Sequence, residues 1–183
     1  MNTVDGLSTI HPLHPLAEIL IARVYLRNGV YEQAKAYLLH VEISRAGRNI
    51  LKKERPALLD DISRQLKTGP APPELIDMVR YVLLAAKHPV VRSWVKSPFY
   101  WLRWNAADIL RASQVDVDMT SLYILDLSCR DKLQVRLQAV ARLGTSSGHR
   151  RVHAALREAA QRGASDPLVA QEATRVLEET TVH

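Results

Sequence analysis

Trp104 and Asp108 stand four residues apart, which on a helix sets an aromatic plane one turn from a carboxylate. An aromatic ring of this kind can stack on a base, but chemistry on a base needs a complete pocket, and the sequence supplies no further member. His149 and His153 have the i,i+4 spacing of two metal-ligating imidazoles, with no third ligand candidate nearby. His11 and His14 lie between prolines, and Asp116 and Asp118 lack the remaining ligands of a calcium loop. Cys129 is the single cysteine, which excludes an intrachain disulfide and a multi-cysteine zinc site, and no activating group accompanies it. No phosphate-loop lysine, nucleophile-elbow serine, HExxH or dinucleotide glycine motif occurs. The expectation is a protein without catalysis, metal or cofactor.

Charge and aromatic residues say more. The chain of 183 residues carries 25 Lys and Arg against 19 Asp and Glu, a net charge of +6. Residues 130–163 hold eight basic residues against Asp131 and Glu158, an excess equal to that of the whole protein. On a helix over 148–162, Val152, Ala155, Leu156 and Ala159 form the buried stripe, and Arg150, His153, Arg157 and Gln161 line the opposite face. That face suits an acidic partner or phosphate; the competing reading is an ordinary solvated face. A second basic cluster, Arg45, Arg48, Lys52, Lys53 and Arg55, reads the same two ways. Trp94, Phe99, Tyr100, Trp101 and Trp104 gather half of the ten aromatic residues into eleven positions, as core or as a partner anchor.

These side chains must be positioned by short amphipathic helices. Seven glycines and no sustained apolar alternation argue against an all-β fold. Helices are predicted from about Leu16 to Asn28, Tyr31 to Ala46 and Pro56 to Leu66, with a basic connector before Pro56. Others follow at about 73–87, 89–96, 98–112, 117–129, 131–143, 148–162 and 167–179. Ser97-Pro98 and Asp166-Pro167 read as N-cap and first-turn pairs, and Gly144 and Gly163 as left-handed C-caps. The Pro-rich segment 69–73 divides the chain into 1–68 and 74–183. Helix 117–129, with Met119 and Tyr123, is apolar nearly all round and is therefore deeply buried or part of a docking groove.

Three segments superpose without gaps: WLRWNAADILRA from Trp101, QVRLQAVARLGT from Gln134 and LVAQEATRVLEE from Leu168. Ala106, Ala139 and Ala173 align, so each unit has a small residue in mid-face where a neighbouring helix approaches. With Asp131 and Val135-Arg136, this pattern resembles HEAT-like repeats over about 98–180. The resemblance implies stacked helix pairs, with Arg103 and Arg136 in a hydrogen-bonded ladder; Ala170 replaces the arginine in the last unit. DNA glycosylases of that class use a Trp and an Asp near a flipped base, which draws Trp104 and Asp108 into the same comparison. Over 15–46, Ala22, Tyr25, Gly29, Tyr31, Ala34, Leu38 and Val41 resemble one tetratricopeptide hairpin, with Glu18 where an aromatic is usual. One hairpin cannot bury both its faces, so 56–96 must pack against it.

The fold expectation is thus all-α, an α-α superhelix of about ten short antiparallel helices. The leading functional expectation is a non-enzymatic scaffold binding another protein with an acidic segment through Arg150, His153, Arg157, Gln161, Met119 and Tyr123. The alternative is nucleic-acid binding through Arg45, Arg48, Lys52, Lys53, Arg151, Trp104 and Asp108. No run of eighteen apolar residues marks a membrane span, and the first residues lack a basic start and an apolar centre. With a lone thiol, a cytoplasmic location is expected.

Overall fold

A computed structural model describes residues 13–82, 89–129, 132–146 and 149–181. Of these, 79% are helical, in ten α-helices packed against their neighbours, with no strand among the described residues. The expectations placed on His11, Arg130, Asp131 and helix beyond Val82 lie outside the described residues. The chain divides into two compact units, Met1–Leu84 and Ala85–His183.

The first unit holds α1 (Pro15–Arg27), α2 (Tyr31–Ile43), α3 (Arg45–Thr68) and α4 (Pro73–Val82). Gly29, at φ +75°, turns α1 back onto α2, and Ile19, Ala22, Leu26, Ala34, Leu38 and Val41 are buried between the helices and α3. Glu18 is buried with His40 Nδ1 2.8 Å from its Oε1, so a polar contact between helices stands where an aromatic was the usual choice. The Pro-rich segment joins α3 to α4 inside this unit, because α4 packs on α2.

The basic connector is not a connector. Ser44 ends α2 in extended conformation and caps α3, its Oγ accepting from Gly47 N at 2.8 Å. A Cβ on Gly47 would meet the Val41 carbonyl oxygen at 2.0 Å, so only glycine fits this corner. Helix α3 then runs 24 residues straight through Pro56. A proline inside a helix removes one hydrogen bond and costs about 3 kcal/mol. Burial outweighs this: Leu51 before Pro56 and Leu58, Ile62 and Leu66 after it form one continuous buried stripe.

The second unit holds α5 (Pro89–Trp94), α6 (Tyr100–Ala112), α7 (Met119–Asp126), α8 (Leu133–Gly144), α9 (Arg150–Gln161) and α10 (Pro167–Thr181). Its core joins Leu127, Ala139, Val140, Leu143, Val152, Leu156, Ala159, Val169, Ala173 and Val176. The helix ends differ from the sequence reading. Helix α6 starts at Tyr100, and Ser97 Oγ accepts from Phe99 N at 3.2 Å instead of capping a helix at Pro98. Neither Gly144 nor Gly163 is left-handed. Gly144 is the last residue of α8, and a Cβ there would meet Val176 Cγ1 of α10 at 2.8 Å. Its smallness serves a close helix crossing. The left-handed cap is Gln114, at φ 58°, whose N–H and that of Val115 donate to Arg111 O and Leu110 O at 2.9 Å each.

Candidate functional site

Helix α9 orients its side chains as the 100° step predicts. Val152, Leu156 and Ala159 are buried, and Arg150, Arg157 and Gln161 are exposed on the opposite side. His153 sits about 60° from the buried stripe and is half-buried for that reason. Arg150 and Arg157 form no ion pair among the described residues. Arg151 differs: its guanidinium donates to Ser121 Oγ at 2.9 Å and lies 3.5 Å from Asp118, tying α9 to the start of α7.

Other arginines of the unit are consumed internally. Arg103 is 1% exposed; it donates to Ser97 O at 2.6 Å, to Cys129 Sγ at 3.2 Å and to the buried Asp126 carboxylate. Thirty-three residues on, Arg136 donates to Cys129 O at 2.6 Å and to Asp166 Oδ2 at 2.5 Å. Each arginine reaches back to a carbonyl six or seven residues earlier and forward to an aspartate, and both meet at Cys129. Asp166 thus spends its carboxylate on Arg136 and not on capping α10.

Asp126 organises a cavity. Its Oδ2 accepts from Trp104 Nε1 at 2.9 Å, so the carboxylate beside Trp104 is Asp126 from α7. Asp108 is exposed one turn from Trp104 on α6, faces Arg111 at 3.7 Å and does not line the cavity that Trp104 borders. Burial pushes the Asp126 carboxyl up, against the lowering by Arg103 and Trp104; burial likewise raises Tyr100 and Asp108. Helix α8 packs along α10, and no Cα of α6 comes within 8 Å of one in α8. A cavity of about 580 Å³ fills the space, lined by Tyr100 and Trp104 of α6, Tyr123 and Asp126 of α7, Val135, Gln138, Ala139 and Arg142 of α8, and Thr145 just after it. The rings are splayed: Trp104 lies 6.3 Å from Tyr100 and 5.6 Å from Tyr123, tilted by about 50° in each case. Lys132 sits 5.1 Å from the Tyr100 and Trp101 ring centres.

Tyr123 therefore joins Trp104 at one site, whereas Met119, one turn earlier on α7, is half-buried and does not line it. Helix α7 is partly core: Leu122 and Leu127 are buried while Tyr123 faces the cavity. In the first unit, Arg45, Arg48, Lys52 and Lys53 are exposed on α3, and Arg48 donates to Glu42 O and Ile43 O at 2.8 and 3.1 Å, closing the end of α2. His149 and His153 acquire no third partner, and no group of three His, Cys, Asp or Glu among the described residues is placed to hold a metal ion. No described helix is long and apolar enough to cross a membrane. Asp126 is not singled out by the sequence, and Arg142 stands out there only as one of the basic residues of 130–163. Comparison with known proteins finds no family model that matches the chain, and no curated relative or solved structure similar to it.

Proposed function

We propose that the protein is a non-enzymatic helical-repeat scaffold that binds an acidic segment of another protein through its second unit. The observation that carries this is the α9 face. Arg150 and Arg157 are exposed without ion partners among the described residues, while Arg103, Arg136, Arg151 and Arg162 are held in internal contacts. The two free guanidiniums are two turns apart, about 10 Å along the axis, a span suited to successive acidic side chains. The HEAT-like register supports the reading, since stacked helix pairs present extended binding surfaces. Replacing both arginines by Glu is expected to leave stability within ~1 kcal/mol and to weaken capture of the partner, most at low salt. Equal capture by a folded double variant returns this face to ordinary solvated surface.

A second reading, nucleic-acid binding, draws on Arg45, Lys52 and Lys53, which are exposed on α3 without ion partners among the described residues. It requires binding that survives in purified protein with nuclease-free oligonucleotide and falls steeply with salt.

A further inference from the structure

From the cavity between α6, α7 and α8 we infer that the second unit seats one aromatic side chain of its partner, flanked by Asp or Glu residues. This rests on the acidic-segment reading and adds an aromatic anchor to it. The size is right: about 580 Å³ lies within the roughly 300–1,000 Å³ of ligand pockets. The lining is right too. Tyr100, Trp104 and Tyr123 are half-buried and tilted against one another, so they present edges and faces to the hollow and do not stack it shut. A planar ring entering it gains edge-to-face contacts on three sides.

Charge decides what accompanies the ring. The one carboxylate among the described residues of the lining, Asp126, has both oxygens committed, Oδ1 to Arg103 and Oδ2 to Trp104, so it presents no free charge to a cation. On the opposite wall Arg142 is exposed with no ion partner among the described residues, and Gln138 offers an exposed amide. Lys132 already lies 5.1 Å from the ring centres of Tyr100 and Trp101, a cation placed beside the cavity's aromatic wall. The rim is positive and the floor neutral, which fits an aromatic residue between acids.

The test is calorimetric titration of the full chain with three nine-residue peptides: Asp/Glu flanks around Phe, the same flanks around Ala, and Ser/Gln flanks around Phe. The acidic Phe peptide is expected to bind about tenfold tighter than the acidic Ala peptide, or 1.4 kcal/mol. Gln138→Phe, which plugs the cavity from an exposed position, should abolish that advantage, so that the two acidic peptides bind alike; Thr145→Phe serves as a second plug. Equal binding of the two acidic peptides overturns the aromatic anchor and leaves the acidic-segment reading standing. Equal binding of the acidic and neutral Phe peptides keeps the cavity and overturns the acidic flanks. An oligonucleotide of thymidines binding more tightly than every peptide, or no peptide binding, overturns both.

Discussion

Asp61 and Asp126 are both buried carboxylates, held in opposite ways. At Asp61, burial works to raise the carboxyl, but hydrogen bonds from Arg23 at 2.6 Å and Arg27 at 3.0 Å prevail and hold it below the usual carboxylate range. A depressed folded value means the stabilisation is present above the unfolded value, about 3.9, and is lost as pH falls through the folded one. Asp61→Asn should therefore cost about 1–3 kcal/mol at pH 7, and the difference from wild type should shrink in melts taken below pH ~4. At Asp126 burial prevails, and the partner Arg103 is itself enclosed. Arg103→Leu leaves a carboxylate without its cation and should cost about 3–5 kcal/mol in denaturant titrations. Since that carboxyl is pushed up, protonation relieves the defect, and the deficit should narrow as pH falls. A deficit independent of pH would place Asp126 in water.

At the scale of elements, crossings with no spare room decide the packing. Ala173 of α10 is 0% exposed, and α10 packs on α8 and α9, so Ala173→Leu should overpack the crossing and cost about 1–3 kcal/mol. Ala139 has the same register and burial but borders the cavity, which can take the added atoms. Ala139→Leu should therefore cost less than Ala173→Leu in paired thermal melts; a larger loss at Ala139 would mean the cavity side is closed to it. Gly144→Ala gains helix propensity of roughly 1 kcal/mol, yet its Cβ would meet Val176 Cγ1 at 2.8 Å on a stiff β-branched side chain. A net loss of Tm is expected, and a gain would show that α8 and α10 part easily.

For the whole molecule, the two units carry separate reporters. All three tryptophans, Trp94, Trp101 and Trp104, belong to the second unit, whereas helical circular dichroism reports both. Asp61 lies in the first unit and Arg103 in the second. Acid and Asp61→Asn should shift the dichroism transition while leaving tryptophan emission in place, and Arg103→Leu should shift the emission. Coincident transitions in every case would mean the units unfold as one cooperative body.

Helix type, the α1–α2 hairpin over Gly29, the small residues at Ala106, Ala139 and Ala173 and the sidedness of α9 were all legible in the sequence. Each follows from local backbone preference or from the 3.6-residue period, which need no knowledge of what packs where. Tertiary structure decided the rest. Pro56 lies inside a helix because distant neighbours bury Leu51 and Ile62 together, and Gly144 is small because Val176, thirty-two residues on, presses against it. Asp126, and not Asp108, meets Trp104 because α7 turns beneath α6. The cavity exists because α8 stacks on α10 with its backbone held apart from that of α6, and local periodicity cannot encode a distance between helices far apart in sequence.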